Sequence, residues 1–179
     1  MIIIGAGGHA KSIYDICQNI ENLYFFDNVT NFKTPLLFNK KIIQSFEDLI
    51  KIDTDKKFIL GLGGVKNRYV LYQKLINLGF IPSSVIAQNA QVSNSSNLDE
   101  ALNIMCFAFI GADSKIGRGS IINVSSIVGH EVEIGEFVEV SPGVTILGNC
   151  KIGNFTTIGA NATILPKIRI GKNVIIAAG

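Results

Sequence analysis

From Ile86 to Ile176 every sixth residue is Ile, Val or Leu, without exception. A six-residue period matches neither a 3.6-residue helix nor strands joined by ordinary turns, so this half of the chain is a structural repeat. The next residue is often Gly, as at Gly111, Gly117, Gly129, Gly135, Gly153, Gly159 and Gly171. Three places beyond that Gly position stands something small or β-branched, such as Ala108, Ser114, Ser120, Val132 or Thr156. An aliphatic pointing into a narrow core, a Gly where a Cβ would clash or φ must be positive, and a small residue near a corner describe a parallel β-helix. Three hexads close a triangular coil of roughly eighteen residues, giving about five coils. The phase never slips, so no loop protrudes to fold over a substrate, and a site must lie in a groove on the outer wall.

Composition narrows the functions open to the chain. A net charge of +2 over 179 residues, with no basic stripe, argues against a nucleic-acid partner. Met1–Ile4 is too short an apolar run for a signal peptide or membrane span, so no membrane insertion and a cytoplasmic location are expected. Cys17, Cys106 and Cys150 lack metal-ligand spacing and read as small buried hydrophobes; no metal is expected.

The first eighty or so residues follow a different period. Met1–Ile4 reads as a buried strand, Leu23–Phe26 as a second, and Ile42–Ile43 and Lys57–Leu60 as further ones. Helices are predicted over Lys11–Glu21, with Ile13, Ile16, Cys17 and Ile20 on one face, and over Phe46–Ile50 behind the capping pair Ser45 and Asp48. A third is predicted over Lys66–Asn77, ended by Gly79, with Val70, Leu71, Leu75 and Leu78 as its apolar positions. This alternation predicts a small parallel sheet with helices on its faces. Gly5, Gly7 and Ala10 satisfy the G-x-G-x-x-[GA] pattern between strand and helix, where backbone N–H groups can meet phosphate oxygens. Asp27 lies at the end of the second strand, where an acidic group could accept a ribose hydroxyl. A tight turn that merely needs glycine explains the same residues. Eighty residues supply one half of a dinucleotide fold, which favours a mononucleotide over NAD.

Only two histidines exist. His9 sits in the glycine loop; His130 follows Gly129 in the repeat and precedes Glu131, beside Glu133, Glu136 and Glu139. His130 is expected to point outward at a corner, where the plain alternative is a solvated surface histidine. Adjacent side chains on an extended strand face opposite ways, so a His130–Glu131 hydrogen bond requires a bend between them.

Ile3-Ile4-Gly5-Ala6-Gly7-Gly8-His9-Ala10-Lys11, joined to hexads carrying Asn123-Val124-Ser125-Ser126-Ile127-Val128-Gly129-His130-Glu131, resembles the PglD/NeuD-type hexapeptide-repeat sugar acetyltransferases over essentially the whole chain. The resemblance implies a Rossmann-like nucleotide-sugar-binding domain over residues 1–82. A left-handed parallel β-helix acyltransferase domain would follow over 83–179. It further implies a homotrimer with the active site between neighbouring prisms, acetyl-CoA as co-substrate, and a nucleotide-sugar substrate. By that resemblance His130 is the catalytic base and Glu131 its orienting carboxylate, while Gly5, Gly7, Gly8, His9, Asp27, Gly63 and Asn123 meet the substrate. Glu139, Gly148, Gly159, Ala160 and Ala178 fall on the coenzyme side, with the Gly148 N–H toward the thioester carbonyl. Some members have a second histidine nine residues after the base, where this chain has Glu139. Members also run on beyond the point matching Gly179, so the C-terminal end of the repeat is expected to be incomplete.

These roles are chemically coherent. An amine must be uncharged to attack a thioester, an imidazole can take its proton, and a carboxylate can fix the imidazole tautomer. A preplaced N–H would stabilise the tetrahedral oxyanion. The expected activity is acetyl-CoA-dependent N-acetylation of a UDP-linked amino sugar in bacterial surface-glycan synthesis. The rivals are O-acetylation of a sialic-acid-type sugar and, from another class, an inert binding or scaffold protein.

Overall fold

Three consecutive isoleucines can be satisfied only in a strand covered on both faces, and β1 (Ile2–Ile4) is fully buried at the heart of a six-stranded sheet. The computed structural model describes residues 1–17, 19–52 and 54–179. β1 pairs in parallel with β2 (Tyr24–Phe26) on one side and with β5 (Lys57–Leu60) on the other. The sheet is completed by β3 (Leu36–Leu37), β4 (Lys40–Ile43) and β6 (Ile81–Pro82), in the order β3-β4-β2-β1-β5-β6. The expectation of a wholly parallel sheet is corrected at one edge, where β3 runs antiparallel to β4. The two-residue loop between them, Phe38–Asn39, has φ of 50° and 59°, the doubly left-handed geometry of a tight hairpin.

Helix α1 (Gly8–Cys17) starts inside the glycine loop, three residues earlier than predicted; residue 18, within the predicted span, lies outside the described residues. Helix α2 (Phe46–Lys51) is capped by Ser45, whose hydroxyl accepts the Asp48 N–H at 3.1 Å. Helix α3 (Val65–Asn77) ends at Gly79, which has φ of 78°. Of its predicted apolar positions Leu75 is buried and Leu71 and Leu78 pack against the core, but Val70 does not. Val70 is 61% exposed, whereas Arg68 is 0% exposed, alongside Tyr72 and Leu75.

From Val85 the chain winds as a left-handed parallel β-helix. Two-residue strands pair with those eighteen residues away, as in Asn103↔Ile121 and Ile121↔Glu139, and form three sheets of six, five and five strands. The repeated aliphatics fill the prism, and rows at its two ends are less buried because they have a coil on one side only. The glycine after each aliphatic serves closeness rather than positive φ. A Cβ on Gly117 would lie 2.6 Å from the Gly135 carbonyl carbon, and one on Gly153 2.5 Å from the Lys172 nitrogen. The left-handed corner falls two residues later, mostly on non-glycine residues such as Asp113, Glu131, Phe137 and Asn149. The small residue next in line is buried, and Ser114, Ser120, Ser126 and Thr156 there each donate a hydroxyl to a carbonyl fifteen residues on.

The three prism faces have distinct fates. Beside the first, Val85 and Met105 join the core of α1 and β1, while Ala101 and Phe137 pack with α3. The third carries Lys115, Glu133 and Lys151 in one column, with Lys151 donating to Glu133 at 2.6 Å. The second presents Phe109 and Ile127 exposed.

Candidate functional site

A cleft of about 290 Å³ opens at the carboxyl ends of β1, β2 and β5, lined among others by Gly5, Gly7, Gly8, His9, Asp27 and Gly63. The connection order reverses there, with β2 on one side of β1 and β5 on the other, which is where open α/β sheets hold ligands. Its glycines separate by cause. Gly5 has φ of 111° and a Cβ there would stand 2.7 Å from the Gly61 carbonyl oxygen, so the turn itself demands glycine. Gly7 and Gly8 have no neighbour within 4 Å of an added Cβ. Their missing side chains instead keep open the approach to the N-terminus of α1, whose first N–H groups are available to an anion. Asp27 orders its own loop: one carboxylate oxygen accepts the N–H groups of Val29 at 3.0 Å and Thr30 at 2.9 Å.

His9 forms the wall between cleft and prism. The buried Asn103 amide nitrogen donates to the Leu60 carbonyl at 2.6 Å and faces His9 Nε2 at 3.0 Å. A carbonyl can only accept, so the amide nitrogen is fixed; His9 Nε2 is therefore the acceptor and Nδ1 carries the proton. Burial pushes the His9 pKa down, the Arg68 cation acts in the same direction, and the Glu139 carboxylate opposes them.

Arg68 ties α3 to the prism. Its guanidinium donates to the carbonyls of Gly119 at 3.1 Å, Val138 at 3.1 Å and Phe137 at 3.3 Å, and to Glu139 Oε2 at 2.7 Å. The same Oε2 accepts the Gly64 N–H at 2.9 Å. Glu139, expected on the coenzyme side, is held through Oε2 between the two layers. Beside it, Phe137 and Phe155 stack at 5.9 Å and take the edge of Tyr69.

On the prism, His130 projects outward at a corner and Glu131 has φ of 56°, which supplies the required bend. Glu131 Oε2 lies 3.0 Å from His130 Nδ1 and accepts the Asn149 amide at 3.1 Å. Hydrogen bonds from His130 and then Asn149 hold the Glu131 pKa below the usual carboxylate range, so it is an acceptor only. Nδ1 must donate to it, which leaves the lone pair on Nε2. The ring lies over Gly148, where a Cβ would stand 2.5 Å from Nε2. The Gly148 N–H donates to nothing among the described residues.

One protomer does not unite these groups. His130, Glu131 and Asn123 are absent from the cleft lining. His130 and Gly148 follow strands of the second face; Asn123, Gly159 and Ala160 follow strands of the first, and Ala178 stacks one coil above Ala160. The second face lies between these two corners. Asn149, Asn103 and Arg68 escaped the sequence reading. Asn149 alone left a trace, standing eighteen residues after Glu131 and hence directly above it.

Among the described residues no three His, Cys, Asp or Glu side chains converge as a metal ion would require. No helix among them is long and apolar enough to cross a membrane.

Residues 1–75 match the family described as PglD N-terminal domain, and residues 149–179 match the bacterial transferase hexapeptide (six repeats). A GDP-perosamine N-acetyltransferase of Escherichia coli O157:H7 is 26% identical over 152 residues, spanning 82% of this chain and 69% of that protein. Among solved structures, PerB from Caulobacter crescentus in complex with CoA and GDP-perosamine superimposes with a TM-score of 0.89 at 26% identity. That match covers 99% of this chain and 86% of the other. The acetyltransferase domain of PglB from Neisseria gonorrhoeae, in complex with acetyl coenzyme A, gives 0.90 at 26% identity, covering 99% and 87%.

Proposed function

Because the chain belongs to the PglD-type hexapeptide-repeat sugar acetyltransferases, we propose that it moves the acetyl group of acetyl-CoA onto the amine of a nucleotide-linked amino sugar, with His130 as general base. The observation that carries this reading is the His130–Glu131 pair. A carboxylate hydrogen-bonded to Nδ1 sets the tautomer of the neutral imidazole, whose Nε2 then has the lone pair that proton abstraction needs.

In the proposed reaction the nucleotide lies in the cleft, its phosphates at Gly7, Gly8 and the start of α1, and the sugar extends past His9 toward Asn123. Nε2 of His130 takes the amine proton as nitrogen attacks the thioester carbonyl. Glu131 stabilises the imidazolium, and the unused Gly148 N–H receives the oxyanion. Collapse expels the coenzyme A thiolate, which takes the proton from the His130 imidazolium and restores the neutral base; no acyl-enzyme forms.

The cleft and His130 meet only if a second copy supplies one of them, which the exposed apolar Phe109 and Ile127 on the second face support. A homotrimer with prisms side by side answers that geometry. A UDP-linked sugar is the expectation from sequence, whereas of the relatives named above one is a GDP-perosamine N-acetyltransferase and another is in complex with GDP-perosamine. GDP- and UDP-amino sugars are therefore tested side by side. The assay follows thiol release from acetyl-CoA with each sugar. Turnover with an amino sugar but not with its hydroxyl counterpart is expected; release with neither overturns the reading.

A further inference from the structure

Glu139 engages both of its protein partners through a single oxygen. Arg68 and the Gly64 N–H converge on Oε2, and among the described residues nothing donates to Oε1. Oε1 lies beside Gly63, a residue of the cleft lining: a Cβ on that glycine would stand 3.6 Å from it. The side chain is 21% exposed, so it is open to solvent or a ligand. Arg68, fully buried and bonded to three main-chain carbonyls, cannot swing away and take the carboxylate with it. A freely rotating glutamate loses conformational freedom when it grips a ligand; this one has already lost it.

We infer that Glu139 Oε1 is a fixed acceptor that reads a hydrogen-bond donor, a hydroxyl or ammonium, on the sugar of the nucleotide-linked substrate. The inference rests on the cleft holding that substrate, and it gives Glu139 two duties on two oxygens. Oε2 joins α3 and its preceding loop to the prism, and Oε1 faces the ligand. A free nucleoside diphosphate lacks the sugar and would gain nothing from Oε1. The position also suits discrimination, because a carboxylate repels anionic substituents while rewarding donors. His9, whose Nδ1 carries a proton, lines the same cleft and offers it a hydrogen-bond donor.

The test is Glu139→Gln, which can keep an oxygen toward Arg68 and Gly64 while placing an NH2 donor where Oε1 was. Binding of the nucleotide-sugar found by the turnover panel, and of its nucleoside diphosphate alone, is measured by calorimetry for the wild type and the variant. Losing a hydrogen bond to a charged group predicts about 10- to 100-fold weaker binding of the nucleotide-sugar. Binding of the diphosphate and the KM for acetyl-CoA should be unchanged. The inference is overturned by equal weakening of both ligands or by unchanged sugar binding; either marks Glu139 as a clamp only. Wild-type turnover with the panel alongside failure of this split would sink the role of Oε1 while sparing the proposed activity. No turnover and no nucleotide-sugar binding would sink both. Glu139→Asp, too short to reach from Arg68 to the cleft, should not rescue sugar binding.

Discussion

Gly148→Ala tests the position of the base without touching its chemistry. Gly148 does not have the positive φ that would exclude alanine, so the backbone accepts the change. The new Cβ would lie 2.5 Å from His130 Nε2 and 2.6 Å from Cε1. Non-bonded atoms of this kind settle at ~3.5 Å, so the ring must retreat by about 1 Å. A misplacement of about 1 Å in a reacting group costs roughly 10²-fold in rate. The ring is mostly exposed and free to move, so the fold itself loses little; surface changes of this sort stay within about ±0.5 kcal/mol. The expected result is roughly a hundredfold fall in kcat by thiol release, with the melting temperature within about 2 °C of wild type. His130→Ala alone should cost about 10²–10⁴-fold. The decisive comparison is the double variant: if Gly148→Ala acts by displacing His130, adding it to His130→Ala costs nothing further. Turnover of Gly148→Ala within about threefold of wild type, or full additivity in the double variant, would refute the placement of the base.

Arg68→Met removes the only cation facing Glu139 among the described contacts and strands the carbonyls of Gly119 and Phe137, which should destabilise by about 3–5 kcal/mol. Thermal melting should show it as a drop of roughly 10 °C, and a shift below about 2 °C would deny the clamp. His9 titrates below its ordinary 6.5 in the folded chain, so on acidification the unfolded chain takes the proton first. Its contribution to stability is complete above that value and fades as pH falls toward the folded pKa; His9→Asn should flatten the loss of melting temperature between about pH 7 and pH 5. An unaltered pH profile would contradict the tautomer assigned through Asn103. Ile127→Glu, on the exposed second face, should shift light scattering from a trimer to a monomer and abolish turnover, whereas a trimer persisting in the variant would place the interface elsewhere.

The repeat was legible because its constraint is local and identical in every hexad: an aliphatic inside, a small residue at each corner, and glycine where successive coils nearly touch. Of the two reasons for glycine, a Cβ clash and a positive φ, the coils show the clash; positive φ falls on residues such as Glu131 and Asn149, whose side chains the left-handed turn directs outward together. That strained corner is what lets neighbours in sequence become hydrogen-bond partners in the His130–Glu131 pair. The β3–β4 hairpin left little trace, since Phe38–Asn39 lacks the Asn-Gly signature that usually betrays two left-handed residues.

The divide between what could and could not be read follows the geometry of contact. Within the prism, distance along the chain converts to distance in space at eighteen residues per coil. Glu131 and Asn149 were therefore deducible as stacked neighbours. No such arithmetic links α3 to the prism. The apolar pattern put Val70 on the buried face, and only docking of the helix against Phe137 and Glu139 turns Arg68 inward instead. A buried arginine is tolerable because the turn of the solenoid leaves carbonyls of Gly119, Phe137 and Val138 converging on one point, a property of the coil that no single hexad displays. The substrate-reading duty proposed for Glu139 thus depends on a junction between two modules, each of which was recognisable by itself.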